Sequence, residues 1–388
     1  MKDVVVVGGG PAGSSVAAEL AERDLDVALY EKRQEIGVPK RCGEGISAAP
    51  IKEVGLDIPE RCKAQPINGA LVHSPNIDFV RISSEETVGW ILERELFDKW
   101  MATRAAEAGA KVKAKAKVKD LLPENKGVEV EVEGDEFKEE AKMVIAADGV
   151  ESLIARKAGV KNASNLQLVD SGYQYEMVDL ELKDSNKLEL YFGKDIAPRG
   201  YVWVFPKGER SANVGIGIGG DVKGTAKDYL DSFIENNDRF KRASVVEVNS
   251  GMIPVGGFLD DMTAENFLAV GDAANQVNPI HGGGIWEGIK AGIIAGKVAH
   301  EAISENDTSK ENLQEYNKRW WKARGKNLKK VEKLREVLED LDDEDLNYLA
   351  ENLEGEDLMN FASGRKLSKL GRILLNRPKM IKSARKLI

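Results

Sequence analysis

Four consecutive valines run straight into a glycine cluster at residues 4–13, VVVVGGGPAG, and this stretch constrains the fold more than any other. An unbroken β-branched run suits a strand buried on both faces, as in a parallel sheet. Gly8, Gly10 and Gly13 then give G-x-G-x-x-G at the turn into an apolar-periodic segment from Ser14 to Arg23. Glycine here permits a tight turn, close approach of a pyrophosphate and close packing of helix on sheet, with the helix N-terminus facing the phosphates. Alone the motif is weak evidence. The next strand, VALY at 27–30, ends in Glu31, where a carboxylate can accept hydrogen bonds from adenosine ribose hydroxyls. Together the two predict a dinucleotide-binding unit.

Composition narrows the function classes. Two cysteines, Cys42 and Cys62, are too few for a disulfide framework or a four-thiolate metal site, and three histidines do not suggest a zinc centre, so no metal is expected. A net charge of −9 argues against a nucleic-acid partner. No apolar run approaches the ~20 residues that span a bilayer, and no signal peptide is apparent, so a reducing, cytoplasmic setting is expected. The tail departs from the acidic average. After Asp357 there is no acid, and nine basic residues from Arg365 to Lys386 accompany Leu367, Leu370, Ile373 and Leu374 at helical spacing. Two readings stay open: a helix packed on its own protein, or an amphipathic basic helix resting on anionic headgroups at the membrane's inner face.

Later segments address which dinucleotide is bound. MVIAADG at 143–149 reads as a strand ending in Asp148 and Gly149, and FLAVGDAAN at 267–275 as a strand ending in Gly271 and Asp272. Asp148 is either a cofactor contact or a plain turn residue. The Gly-Asp pair followed by Pro279 and by Gly282, Gly283 and Gly284 resembles the ribityl and flavin-ring segment of FAD proteins of the aromatic-hydroxylase fold. That resemblance implies that Asp272 bonds the ribityl chain and that a helix starting near Ile285 aims its N-terminus at the flavin pyrimidine. It also sets Arg94, at a strand-to-helix junction in ILERELFDKW, over the phosphates and ribityl chain, where the other reading is a surface arginine in a helix-start salt bridge, and adds Ala12, Arg33 and Val118 to the expected cofactor contacts. Gly288, Gly292 and Gly296 read as a packing stripe. KVKAKAKVK at 111–119 reads as one half-buried strand, and GIGIGG at 215–220 as strand and turn.

Residues 160–262 read as short strands of a separate sheet over a pocket. Within it GYVWVFP at 200–206 puts Tyr201, Trp203 and Phe205 on one strand face, as an apolar ligand wall or as ordinary core. The FAD motif, RCGEG at 41–45, GYVWVFP and GDAANQVNPIHGGGI at 271–285 together resemble the geranylgeranyl reductase family, and its archaeal branch acting on digeranylgeranylglycerophospholipids, over residues 1 to about 305. One departure is Asn278-Pro279-Ile280-His281, where archaeal relatives commonly carry Asp-Pro-x-Thr.

The resemblance implies an α/β fold: a Rossmann-like FAD-binding domain of aromatic-hydroxylase and glutathione-reductase type, with an inserted, mostly antiparallel substrate sheet and a C-terminal helical region. The expected divisions are 1–159, 160–262, 263–305 and 306–388, with Trp320 and Trp321 as core anchors. It implies reduction of isoprenoid double bonds by hydride from reduced FAD, with a nicotinamide, a deazaflavin or a ferredoxin as electron donor. The glycine-flanked loop with Cys42, Gly43 and Gly45 would touch the cofactor; Cys42, Glu44 and His281 are proton-donor candidates by placement, Cys42 foremost. Tyr201, Trp203, Phe205 and His281 would meet the substrate. The rivals are a flavin monooxygenase or halogenase on the same scaffold, and a prenyl-lipid carrier that has lost its flavin.

Overall fold

The computed structural model describes residues 1–161, 165–385 and 387. Lys2–Val7 is the centre of the first sheet, parallel to Val27–Tyr30 on one side and to Asp135–Ala146 on the other, with Phe267–Ala269 parallel beyond it. Val4, Val5 and Val6 have no exposed surface, as an unbroken valine run between two strands requires. The helix Pro11–Ala21 lies against the long helix Ile285–Ser304, and the glycine stripe makes this approach possible: a Cβ on Gly292 would come 2.6 Å from the Ala12 carbonyl oxygen. The stripe is a packing device.

KVKAKAKVK is not one strand. Lys111–Lys113 ends beside Val27–Tyr30, Lys115 turns through φ 55°, and Lys117–Leu121 starts a separate ladder with Gly127–Val132. The turn lets the Lys115 and Ala116 N–H groups bond the carbonyls of Arg33 and Glu31, which a continuous strand could not do.

The second sheet has seven strands, in the order Ser244–Ile253, Asp170–Val178, Ser211–Gly219, Tyr201–Pro206, Lys187–Tyr191, Gly69–His73, Phe79–Ser83. Its last two strands come from within 1–159, so the sheet is larger than the segment 160–262; Gly69–His73 joins it parallel to Lys187–Tyr191. Period-two alternation divides its faces cleanly. Val202, Val204, Val214, Ile216 and Met177 point to one side, where helix Ala226–Glu235 packs with Leu230 and Phe240. The other face bears the intervening residues: Tyr201, Trp203, Phe205, Asn213, Gly215, Gly217, Asp170, Gly172 and Gln174. A small third sheet, Gly45–Ser47, Gly89–Leu92 and Lys63–Ile67, ties the RCGEG loop to the start of helix Arg94–Glu107.

From Lys310 the chain is helical, and Trp320 is fully buried in the main core with Trp321 packed against it. A later cluster gathers Leu334, Val337, Leu341, Phe361, Leu370, Leu374 and Met380. The apolar side of Leu367–Leu375 therefore faces its own protein. Lys366, Lys369 and Lys379 pair with Glu356, Asp357 and Asp342, which spends part of the tail's charge internally; Lys386 lies outside the described residues. Leu374→Ala should cost about 2–5 kcal/mol in urea unfolding, because the side chain is wholly buried among large neighbours. A loss below 1 kcal/mol would show that the helix is not part of the folded unit. Among the described residues no helix is long and apolar enough to cross a membrane.

Candidate functional site

At the end of the central strand, the Gly8 φ of 106° brings its backbone so close to the next strand that a Cβ would stand 2.3 Å from the Ala147 carbonyl oxygen. A Cβ on Gly13 would stand 2.0 Å from the Gly8 carbonyl oxygen, so these two glycines are demanded by the turn itself. Gly10 differs: a Cβ there would meet nothing within 4 Å, and as N-cap of Pro11–Ala21 it leaves the first-turn N–H groups without a side-chain cap. Open space before uncapped N–H groups is what a phosphate needs. Glu31 accepts from the N–H groups of Gly9 (2.8 Å) and Arg33 (2.9 Å), which aim its carboxylate across the turn with lone pairs left for hydroxyls.

Arg94 follows the strand Gly89–Leu92 and opens the next helix, where its guanidinium makes two 2.8 Å bonds to Asp98. Arg33 and Arg41 lie in the same electrostatic neighbourhood as Arg94. The Asp272 carboxylate accepts no protein hydrogen bond among the described residues; burial raises its pKa, opposed by Lys161 and Arg94. Lys161 itself donates to the carbonyls of Val150 (2.9 Å) and Asp272 (3.1 Å), clasping two strand ends, and burial pulls its pKa down to about 8. Asp272 stands beside the start of helix Ile285–Ser304, which has no side-chain cap at Gly284. An unengaged carboxylate, two uncapped helix starts and an arginine group fit the ribityl hydroxyls, pyrophosphate and pyrimidine of FAD.

The side chains of three expected contacts serve the fold. Both Asp148 oxygens serve the turn into Leu153–Lys157, accepting from the Ser152 hydroxyl (2.5 Å) and the Ile154 N–H (3.2 Å), so the turn reading describes its side chain. The Val118 side chain is spent in the core, and only its backbone is available to a ligand. Ala12 packs on the long helix. Gly149 has a φ of 84° in the same turn as Asp148, while Pro279 is buried in the glycine loop and Ile285 in the cluster beneath it.

The Cys42 loop lies between this cleft and the second sheet. Gly43 is pressed onto the aromatic strand, since a Cβ there would reach 2.9 Å from the Phe205 ring. The Cys42 thiol accepts from the Glu44 N–H (3.2 Å); burial pushes its pKa up, against the pull of Arg94. Its carbonyl accepts from Gln174 (3.2 Å), whose own oxygen takes the Trp203 indole N–H (2.8 Å). Trp203 can lie flat because Gly215 is bare: a Cβ would stand 2.4 Å from the indole. Phe192, Tyr201, Trp203 and Phe205 form a continuous aromatic row, with neighbouring centroids 5.4–6.2 Å apart. The Tyr201 hydroxyl donates to the His281 carbonyl (2.8 Å), joining this wall to the glycine loop.

Glu44 does not look into the chamber. It has zero exposure and a φ of 73°, and it accepts from the Arg94 N–H (2.9 Å) and the Asn213 amide (2.7 Å), with Lys207 at 3.1 Å and Lys40 at 3.5 Å. Glu93 and Glu176 complete the pairing of Lys207, and Glu176 and Glu247 that of Lys40. Burial lowers the Lys40 pKa, but Glu44 and Glu176 outweigh it and the net shift is upward. Glu44 is therefore the anchor of the cysteine loop. His281 is exposed on the chamber wall, and its Nδ1 accepts from the Gly283 N–H (3.1 Å), which leaves the ring proton on Nε2.

Sequence reasoning missed Gln174, Asn213, Lys40, Lys207 and Asp98. Lys207 follows the aromatic motif directly, Lys40 precedes RCGEG and Asp98 lies four residues after Arg94 in ILERELFDKW, so these could have been noted; Gln174 and Asn213 carry no local signature. The Asn278 departure also finds its reason. The side-chain oxygen accepts from the Ile280 N–H (3.0 Å), and the amide nitrogen donates to the Ala362 carbonyl (3.2 Å), which a carboxylate cannot do.

The comparisons agree with this geometry. An FAD binding domain model matches residues 1–187, and a geranylgeranyl reductase catalytic domain model matches residues 169–253. The fold and cleft together define an FAD-dependent oxidoreductase, which sets aside the flavin-free carrier. The digeranylgeranylglycerophospholipid reductase of Methanocaldococcus jannaschii is 42% identical over 98% of this chain and 96% of its own length, and a second such enzyme from Methanopyrus kandleri is 40% identical over 100% and 99%. The solved structure of a geranylgeranyl bacteriochlorophyll reductase-like protein from Thermoplasma acidophilum, 35% identical, superposes with a TM-score of 0.92 over 100% of this chain and 99% of that one. The chain belongs to the geranylgeranyl reductase family. A flavin-dependent brominase, 20% identical with a TM-score of 0.74 over 94% of each chain, shares the fold alone.

Proposed function

We propose that this protein saturates the carbon–carbon double bonds of geranylgeranyl chains in an archaeal-type membrane phospholipid precursor. The observation that carries the reading is the aromatic row Tyr201–Trp203–Phe205, packed against the Cys42–Gly43 loop at the flavin cleft, in a chain whose curated relatives bear the reductase name. When bound, FAD supplies hydride chemistry in its reduced form. The chain's own task is to hold the lipid, orient one alkene and exclude water. Each isoprenoid methylene removed from water is worth about 0.8 kcal/mol, so an apolar wall holds a long chain firmly while letting it slide.

In this reading Gly8, Gly10, Gly13, Glu31, Arg33 and Arg94 hold the phosphate and adenosine end, and Asp272, Pro279, Gly283 and Gly284 the flavin end. Gly43 and Gly45 let the backbone close over it. The electron donor is a nicotinamide, a deazaflavin or a ferredoxin. Contact with an anionic membrane surface falls to exposed groups of the tail such as Arg365, Arg372, Leu375 and Ile381.

Anaerobic incubation of the FAD-loaded protein with dithionite and a digeranylgeranylglycerol phospholipid should give stepwise gains of two hydrogens by mass spectrometry. An unchanged lipid beside fully reducible flavin would sink the substrate reading and leave the family standing.

A further inference from the structure

The chemistry proposed above needs a proton as well as a hydride, and an isolated alkene offers no heteroatom for an acid to hold. Three titratable side chains at the loop and the aromatic strand are already engaged: the Cys42 thiol takes the Glu44 N–H, and burial raises its pKa, His281 Nδ1 takes the Gly283 N–H, and Tyr201 donates its hydroxyl to the His281 carbonyl. A fourth is Asp170, which no motif singled out.

Asp170 opens the strand Asp170–Val178 and lies on the same face as Gly172 and Gln174, between Gly219 and Ile253 of the neighbouring strands. It is only 9% exposed, and its Oδ1 is fully buried without a hydrogen-bond partner among the described residues. Its Oδ2 lies 4.0 Å from where a Gly217 Cβ would stand, and Gly217 is the residue opposite Tyr201 on the aromatic strand. Gly217, Gly172 and Gly251 form a side-chain-free row across three strands beside it. Ile253, on its other flank, reaches 3.1 Å from the Cβ position of Gly282 in the flavin loop. The carboxyl therefore sits on glycine-lined sheet between the aromatic strand and Ile253, whose side chain lies over Gly172 and Gly217 and reaches towards the flavin loop.

We propose that Asp170 is the acid that protonates the alkene carbon opposite the one receiving hydride. The proposal rests on the reductase reading. One alkene carbon takes hydride, with its electron pair, from the reduced flavin. The other takes the Asp170 proton as its O–H bond breaks, leaving a carboxylate and oxidised flavin. Solvent reprotonates the carboxylate, and two electrons and a proton, drawn from the electron donor and solvent, restore the reduced flavin. The groups facing Asp170 are Arg335 and Glu339 of the helix Lys326–Asp340, Arg199, Asp221 and Tyr201. Burial outweighs the two arginines and raises the carboxyl to about 7, so it is still substantially protonated at neutral pH and far more acidic than the thiol.

The test uses the full chain as wild type, D170N and D170E. In the wild type without substrate, infrared spectroscopy should show a protonated carboxyl band that titrates near pH 7 and is missing in D170N. Because the native pKa lies above the unfolded value of about 3.9, native protein binds more protons across pH 4 to 7 and wild-type stability falls there. The melting temperature of D170N should gain on the wild type over that window. With dithionite-reduced FAD and the digeranylgeranyl phospholipid, D170N should saturate bonds about 100-fold or more slowly at unchanged flavin affinity, with partial recovery in D170E. A D170N rate within threefold of an active wild type overturns the acid role while sparing the reductase reading. No turnover by the wild type overturns both, so the two failures are distinguishable.

Discussion

Gly13→Ala is expected to yield protein that cannot retain flavin. The new methyl group would lie 2.0 Å from the Gly8 carbonyl oxygen and 3.1 Å from the Ala147 side chain, one a backbone atom and the other part of the packed strand end. Neither can swing aside as a flexible side chain would, so the strand and helix must part, costing about 3 kcal/mol in packing. The parted turn no longer presents its first N–H groups to one phosphate position, and affinity measured by flavin fluorescence should fall by more than about 100-fold. Gly10→Ala is the informative partner. Its Cβ meets no protein atom within 4 Å, so the melting temperature should stay within about 2 °C of wild type while flavin binding weakens, because the methyl group enters the space a phosphate would use. Wild-type affinity in both variants would refute the assignment of this turn as the cofactor cradle.

Glu44→Ala should be among the most destabilising changes of a charged residue in this chain. The carboxylate has no exposed surface and holds the Arg94 N–H, the Asn213 amide and the Lys207 ammonium in one place. Its removal strands buried donors and an ammonium, which costs about 3–5 kcal/mol in comparable pairs. Glu93 and Glu176 still face Lys207, which favours the lower end of that range. Since Glu44 follows Cys42 and Gly43 at a positive φ, freeing it also loosens the loop over the flavin. Urea unfolding should show the loss at pH 7, with Glu44→Gln intermediate because it keeps an acceptor for the Arg94 N–H. A loss under 1 kcal/mol for Glu44→Ala would mean that the lysine network does not hold the loop.

What was legible followed from short-range rules. The valine run, the glycine spacing and the carboxylate at Glu31 report local backbone requirements, and the strands Val27–Tyr30 and Tyr201–Pro206 lie where alternation and residue type put them. The family resemblance added the flavin, because its motifs mark places where backbone must pass close to a cofactor. Period-two spacing also put Tyr201, Trp203 and Phe205 on one face, but not how the Trp203 indole lies, which leaves it buried between its neighbours. That depended on glycines 215 and 217 of the next strand, whose bareness lets the indole lie down.

The sequence by itself determined the parallel sheet, the nucleotide turn and the aromatic strand, since each is set by steric demands within about ten residues. Only the tertiary structure decided the work of the charges. Glu44, beside a cysteine, reads as a chemical group until Arg94, Asn213 and Lys207 converge on it from segments 50, 169 and 163 residues away. Asp170 stands in no motif, and only the fold shows burial leaving one of its oxygens without a partner among the described residues. The basic tail admits both a self-packed and a membrane-resting helix until its leucines are seen in a core formed with Leu334 and Val337. Whether a charged or amphipathic segment is solvated, paired or buried depends on its surroundings, and long-range packing assembles those surroundings.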